Sequence, residues 1–485
     1  MNTRNWIWFT ILLLAVALFS GMSALELRAE EPRRAVIAME MLLSGDYILP
    51  KIYGWDYYNK PPLFNWILIF FFKITGSFSE WVVRLPGLLF LIGTAVFNYL
   101  FVKKYLSREV ALLSSLFLLT AVDLLFYGAV NSGEIDLFLV FLVYVQAASI
   151  FHFYQRKRWF WLFALSWVFT GLAFLTKGLP AVVFQVLTLG GWFLGKGELR
   201  RLFDWRHFAG FLFFVLPVGG FFRACAEHGG EAVFYLQNLL KDATRKSAVE
   251  GGWLDILAHL AGFPFQVLMI LLPWSLLLFF GFKKGVFERL KARPLLFFSL
   301  VFICANIWIY WISPDARNRY LYPFFPFFAL LFAWLAVEFS GRRIAVFIGI
   351  AALLAVLRIG YNFILMPLQQ EKLNSGLIYR DISAEILKIT QNQPVLLTGT
   401  PDTLRLNFPF FENKTILQPP LVPYQLPYYL SKSNGSIMRY EQQPRSGIFY
   451  LCFKDFAAGL PAAQALFTFT ERWTGREMVL VKVGE

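Results

Sequence analysis

The 485-residue chain is 58% hydrophobic and 19% aromatic but only 16% charged, where soluble domains carry about a quarter, and this excludes an ordinary soluble protein. Its formal charge of +14 does not indicate a nucleic-acid partner, because the basic residues concentrate in short connectors between apolar runs. The three cysteines (Cys225, Cys304 and Cys452) have no metal-ligand spacing and imply no disulfide framework, although Cys225 and Cys452 fall on the same side of the topology derived below.

The first apolar stretch, NWIWFTILLLAVALFSGMSA, has a core longer than a cleaved signal peptide uses and is read as a retained helix. Runs of roughly 18 to 22 apolar residues suffice to cross a bilayer. They predict about eleven membrane helices, at 6–23, 82–102, 109–130, 134–154, 159–176, 179–195, 207–224, 258–281, 294–313, 319–338 and 343–364. Residues 63–76, LFNWILIFFFKITG, are too short to cross and are expected to form an interfacial or re-entrant helix.

Orientation follows from alternate connectors. Lys103, Lys104 and Arg108 occupy one; Arg156, Lys157 and Arg158 the next; then Lys196, Arg200, Arg201 and Arg206. Lys283, Lys284, Arg289, Lys291 and Arg293 follow, and finally Arg342 and Arg343. The positive-inside rule places these five connectors in the cytoplasm. Residues 24–81, 131–133, 177–178, 225–257, 314–318 and everything beyond about 364 then face outward. The tail loses its long apolar runs: DISAEILKIT suggests a short helix, and PVLLTG, GIFYLCF and EMVLVKV suggest buried strands. The expected organisation is a polytopic α-helical membrane domain over 1–365 and a small extracytoplasmic α/β domain over 366–485.

Unusual polar residues gather on the outer side. Glu30 and Glu31 open the first loop, and Pro32 suits the first position of a helix, so RRAVIAMEMLL is expected to lie along the interface beside Arg33 and Arg34. N-terminal capping with a surface ion pair would also account for these residues. YNKPPLFNW holds Lys60 at the membrane surface between stiff prolines, where a snorkelling lysine is the plainer reading. NSGEIDLFLVF places Glu134 and Asp136 two apart, so on a helix only one of them faces a given cavity. An acidic residue inside a span is costly unless it serves a polar cavity or pairs with a base. LTKGLPA puts Lys177 at the outer end of a helix, where a C-terminal cation is also expected on dipole grounds. SPDARNRYLYP carries Arg317 and Arg319, suited to phosphate or carboxylate, with Asp315 or Glu30 as alternative partners. His152, His207, His228 and His259 lie far apart, and no Ser-His-Asp set or glycine-rich phosphate loop is present.

The carboxylate pair with arginine after the first span, then SGDYILP, NKPPLFNW, VVRLPG, GEID, LTKG and RNRYLYP, resembles the GT-C membrane glycosyltransferases over about residues 5–365. Within them it resembles the branch joining protein O-mannosyltransferases to the bacterial aminoarabinose transferases of lipid A. The resemblance implies the GT-C fold of some 11 to 13 membrane helices. It also implies a polyprenyl-phosphate-linked sugar as donor, a lipid or protein acceptor, and the bacterial inner membrane with its site facing outward.

By the same resemblance Glu30 and Asp136 stand at catalytic acidic positions and Lys60, Lys177 and Arg319 at donor-phosphate positions, with Glu31 and Arg33 as supporting landmarks. Arg317 joins the phosphate group, and Arg84 of VVRLPG and Glu134 of GEID join the supporting one. Glu30 replaces the family's aspartate, moving the carboxylate out by about one methylene. Asn59 stands where aminoarabinose transferases often have a glutamate, which weakens the case for that sugar and for a bound metal. No metal site or required cofactor is assigned, and a divalent metal is left open.

The expected reaction is a single inverting displacement, with the cations neutralising the leaving phosphate and a carboxylate orienting and deprotonating the acceptor. The loop 225–257 and the C-terminal region are candidate lids or acceptor-docking surfaces. The rival from another class is a lipid-linked-sugar flippase with the same cations and no transfer chemistry, but transporters tend to place polar residues near the bilayer midplane. A structural assembly subunit is the third reading.

Overall fold

A computed structural model describes residues 3–127, 130, 132–245, 253–313, 317–339, 343–368, 378–408, 411–472 and 474–484. The chain divides into two compact units. One comprises Met1–Gly21, Arg84–Phe222 and Asp242–Leu365; the other comprises Met22–Val83, Arg223–Lys241 and Met366–Glu485. The first loop, expected over 24–81 and counted with 1–365 on sequence grounds, falls within Met22–Val83, in the same compact unit as the C-terminal region.

The first unit is helical. Among the described residues seven helices are long and apolar enough to cross a membrane, or eight if Leu254–Ile270 and Trp274–Phe282, bent by 115° at their break, form one span. The chain is therefore a multi-pass membrane protein, and eleven full-length helices are not found among the described residues. Thr3–Phe19 and Pro180–Lys196 have 17 residues each. At the usual rise that reaches about 26 Å, short of a roughly 30 Å hydrocarbon core.

The expected span 109–130 is divided into Arg108–Leu119 and Val122–Phe126. At the break, the Thr120 hydroxyl donates to the Leu116 carbonyl at 2.6 Å. The Val122 amide leaves the helical ladder for the Leu272 carbonyl at 2.9 Å. Leu272 precedes Pro273, which has no N–H to continue the helix beyond Ile270.

Apolar side chains face outward where lipid would meet them. Phe208, Leu212 and Leu216 are exposed at four-residue spacing on the helix Trp205–Glu227. Inside the bundle, polar side chains link consecutive helices. Gln146 Nε2 donates to Gln185 Oε1 at 2.6 Å and to Thr170 Oγ1 at 3.0 Å, and Gln185 Nε2 donates to Ser166 Oγ at 2.8 Å. These bonds order Asp136–Gln155, Trp159–Lys177 and Pro180–Lys196 against one another. The alternative for a buried amide in hydrocarbon is an unsatisfied polar group.

The second unit mixes helices with short strands. Glu31–Ser44 forms with Pro32 in its first turn and ends at Gly45, whose φ of 75° is the left-handed cap. A hairpin pairs β1 (Lys51–Ile52) with β2 (Trp55–Asp56), and the short apolar helix Leu63–Thr75 follows. In the tail, helix Tyr379–Ile389 and strand β3 (Val395–Leu397) form as expected. A separate hairpin of β4 (Asp402–Phe408) and β5 (Phe411–Gln418) comes next, then helix Gln425–Asn434.

Strands β6 (Phe449–Phe453), β7 (Ala463–Thr470) and β8 (Glu477–Val483) complete a sheet of order β3-β6-β8-β7, with only β3–β6 parallel. Alternate residues Tyr450, Cys452, Val479, Val481 and Val483 form its buried face. The first loop is tied to this region through Glu80, which accepts from Arg380 at 2.8 Å, Lys432 at 2.9 Å and the Tyr429 hydroxyl at 3.1 Å. Cys225 and Cys452 are buried free thiols.

Candidate active site

Lys177 is the last residue of helix Trp159–Lys177, and Gly178 (φ 85°) ends the helix there by donating to the Phe174 carbonyl at 2.7 Å. The lysine Nζ donates to Asp136 Oδ1 and lies 4.8 Å from the Tyr320 ring centroid. Asp136 is the first residue of helix Asp136–Gln155, where the free N–H groups and dipole favour a negative charge. Its other oxygen lies 4.0 Å from Arg319 Nε, while Arg319 Nη1 donates to Glu134 Oε2. Lys177 and Asp136 are buried; Glu134 and Arg319 keep side-chain exposures of 16% and 19%, leaving an edge open to a ligand.

The expectation that only one of Glu134 and Asp136 could face a cavity is overturned. The helix begins at Asp136, so Glu134 precedes it in irregular backbone and both carboxylates reach Arg319. The helix Glu80–Tyr105 approaches that segment closely at Gly87, where an added Cβ would lie 3.1 Å from the Ser132 carbonyl oxygen. Arg84, three residues before this contact, is buried.

Arg319 sits in the 3-10 turn Asn318–Phe324. The turn is pinned by Asp123, which accepts from Asn318 Nδ2 at 2.9 Å and from the Tyr322 hydroxyl at 2.8 Å. Sequence reasoning missed Asp123 because it lay inside an apolar run taken as one span; an acidic residue there was the available signal. Arg317 is the exposed residue before the turn and joins no ion pair among the described residues. The alternative pairing of Arg319 with Glu30 is replaced by Glu134 and Asp136, and Asp315 lies outside the described residues.

The second unit holds the other candidates. Glu30 stands at the N-cap of Glu31–Ser44 without a capping hydrogen bond. Its Oε2 instead accepts from Arg33 and lies 3.6 Å from Arg34 Nη2, with 30% of the side chain exposed. Glu31 is fully buried and accepts from the Arg28 amide at 3.0 Å. The guanidinium of Arg33 lies 5.8 Å from the Tyr57 ring and 5.5 Å from that of Tyr424, and Arg34 is also 5.8 Å from Tyr57. Arg34, Tyr57 and Tyr424 escaped the sequence reading as site residues; nothing local marks Tyr424, nearly 370 positions beyond Tyr57 (~370 by their numbers).

The strap carrying Lys60 is fixed by helix Ala232–Arg245 in the expected lid loop. Tyr235 donates its hydroxyl to the Lys60 carbonyl, and Asn238 Nδ2 donates to the Tyr58 carbonyl at 3.2 Å and to Asn59 Oδ1 at 2.6 Å. Residues 246–252 of that loop lie outside the described residues. Beneath the β1–β2 turn, Glu40 Oε1 accepts from the Gly54 amide at 2.7 Å, and burial pushes its carboxyl up to about 7. Among the described residues no group of three His, Cys, Asp or Glu is arranged to hold a metal ion.

Each carboxylate cluster is therefore paired with two cations, and the Arg319 Nε has no hydrogen-bond partner among the described residues. A guanidinium and an ammonium converging on one spot can share their N–H groups with an arriving phosphate.

A sequence family described as dolichyl-phosphate-mannose-protein mannosyltransferase matches residues 59–219. An undecaprenyl phosphate-α-4-amino-4-deoxy-L-arabinose arabinosyl transferase of Proteus mirabilis is 26% identical over 366 residues, 70% of this chain and 62% of that protein. The Pseudomonas aeruginosa protein of the same name is 27% identical over 286 residues, 56% of this chain and 48% of its own length. Across such curated relatives the chain spans 48–62% of their length. The crystal structure of ArnT from Cupriavidus metallidurans bound to undecaprenyl phosphate superposes with a TM-score of 0.67 at 17% identity, covering 99% of this chain and 98% of that one. In sequence the chain is similar to these membrane glycosyltransferases, and in architecture it shares the GT-C fold of the ArnT structure.

Proposed function

We propose that the protein transfers a sugar from a polyprenyl phosphate to an acceptor at the outer face of a bacterial inner membrane, by one in-line displacement with inversion. The observation that carries this reading is the buried Lys177–Asp136–Arg319–Glu134 cluster, which holds an ammonium and a guanidinium ready for a phosphate. The aminoarabinosyl transferases it resembles are named for an undecaprenyl phosphate donor, and the ArnT crystal structure contains that lipid. The run of basic connectors supports the outward orientation.

In the proposed step the acceptor oxygen forms a bond to the anomeric carbon as the bond to the phosphate oxygen breaks, and the electron pair leaves with polyprenyl phosphate. Lys177 and Arg319, with Lys60 and Arg317, neutralise that charge. Glu30 is favoured over Asp136 as the group that orients the acceptor and takes its proton. Asp136 is 5% exposed and committed to Lys177, whereas 30% of the Glu30 side chain is open to solvent. Asp136, Glu134, Glu31, Arg33 and Arg84 then position these groups. The C-terminal region, proposed as extracytoplasmic, buttresses the first loop.

The test is transfer of label from a polyprenyl-phosphate sugar pool in membranes carrying wild type or Glu30→Gln at matched abundance. Wild type should label an acceptor, and Glu30→Gln should lower kcat by about 100-fold or more with a small change in KM. Label that never leaves the carrier across several sugars and acceptors, or a product retaining the donor's anomeric configuration, overturns the reading. Unchanged turnover in Glu30→Gln removes Glu30 from it.

A further inference from the structure

Within the second unit a cavity of about 490 Å³ opens between the β1–β2 hairpin and the segment 417–424 that follows β5. Tyr53, Trp55, Tyr57 and Tyr424 contribute aromatic wall, and Asp56, Glu231 and Asp402 contribute carboxylates; no Lys or Arg lines it among the described residues. That is the reverse of the charge expected for a phosphate, and unusual for a chain of net charge +14. The three carboxylates are not grouped as a metal site among the described residues; Asp56 accepts from the Tyr58 hydroxyl at 2.9 Å and Asp402 from the Leu421 amide at 3.1 Å.

Two further observations concern the tyrosines of its wall. Tyr53 and Tyr57 are 2% and 6% exposed, and their hydroxyls have no hydrogen-bond partner among the described residues. A buried hydroxyl left unpaired is costly, so a small shift of either ring that brought it to a ligand oxygen or nitrogen would be stabilising. Tyr57 and Tyr424 are also the rings that flank the Arg33 guanidinium paired with Glu30, so the cavity wall and the candidate base share one set of contacts.

We infer that this cavity is an acceptor-side subsite for a saccharide unit that is uncharged or carries an amine. Aromatic faces suit the weakly positive C–H faces of a pyranose, and carboxylates accept from its hydroxyl or ammonium groups while repelling phosphorylated or uronic sugars. The volume is that of a small-ligand pocket. Calling the ligand an acceptor rests on the transferase reading above; saccharide binding itself does not.

The experiment uses the full-length protein in lipid nanodiscs, free of glycoside detergents and without donor. Ligand-observed saturation-transfer NMR would compare a glucosamine trisaccharide, maltotriose and trigalacturonate. Either or both of the first two should bind, at least about tenfold more tightly than trigalacturonate, and Trp55→Ala should weaken that binding about tenfold or more. Asp402→Asn alters an exposed side chain and keeps an acceptor for the Leu421 amide that Asp402 now holds at 3.1 Å. It should narrow the gap between the glucosamine trisaccharide and trigalacturonate with unchanged thermal unfolding, so a poorly folded Trp55→Ala does not leave the matter open. Absence of saccharide binding, equal binding of trigalacturonate, or selectivity untouched in a folded Asp402→Asn overturns the inference. Transfer activity without binding removes only this subsite, whereas binding without transfer counts against the transferase reading alone.

Discussion

Asp136, the first residue of one helix, accepts a hydrogen bond from Lys177, the last residue of the next. A helix N-terminus favours the carboxylate and a helix C-terminus favours the ammonium, so both dipoles support the pair. Lys177→Met and Asp136→Asn should each lower the thermal stability of the purified protein. Their double mutant should be milder than the sum, with a coupling of about 1–3 kcal/mol. Transfer should stay impaired in the double mutant, because the donor phosphate has lost a cation. Recovery of transfer when both charges are absent would make the pair purely structural.

Asp123 is expected to act through Arg319 without touching substrate. Asp123→Ala leaves the Tyr322 hydroxyl and the Asn318 amide without their acceptor, at about 1–3 kcal/mol for each buried group. Release of the turn should raise the KM for donor more than it lowers kcat. Asp123→Asn keeps one acceptor oxygen and should restore part of the loss. Steady-state kinetics on the three proteins checks this, and a kcat effect with unchanged KM would contradict it.

Glu40 links stability to pH. Burial raises its carboxyl from 4.5 to about 7, so the folded state binds a proton more readily than the unfolded chain. Its contribution is therefore fully present below about 4.5 and is lost as pH rises through about 7. The rise from 4.5 to about 7 bounds the full span at about 3 kcal/mol. Glu40→Gln keeps an oxygen for the Gly54 amide and removes the titration. The variant should gain thermal stability over wild type at pH 8 relative to pH 5.5, and an identical difference at both pH values would refute the assignment.

Glu80 ties the base of the outer loop to Arg380 and Lys432, whose side chains are 35% and 30% exposed. Solvent screens both pairs, so Glu80→Ala should cost about 1–3 kcal/mol, less than loss of a fully buried pair. Limited proteolysis should then cut the C-terminal region faster, with helix content unchanged. Deleting residues 371–485 should affect turnover or acceptor choice if that region buttresses the first loop; no effect on either removes that role.

The apolar helices and the amphipathic helix after Pro32 are legible in the sequence because hydropathy and helix-starting residues act over a few neighbours. The same holds for Tyr379–Ile389, β3, β6 and β8. Strand β7 is less legible, because half of its residues are exposed at a sheet edge and it lacks an apolar run. β5, FENKTILQ, carries charges within a two-stranded hairpin. The break at Thr120 was hidden because it depends on a carbonyl offered by Leu272, 150 residues away (~150 by numbering).

What the sequence determined alone was the class of molecule, because burial of apolar runs in lipid is additive along the chain. It also marked Glu30, Asp136, Lys177 and Arg319 as out of place near a membrane. Only the tertiary structure decided their partners. Arg319 meets Glu134 across 185 residues, Asp123 holds the turn that carries Arg319, and Tyr424 closes over an arginine of the first loop. Coulomb and hydrogen-bond energies depend on separations of a few ångströms in space, which spacing along a chain does not encode.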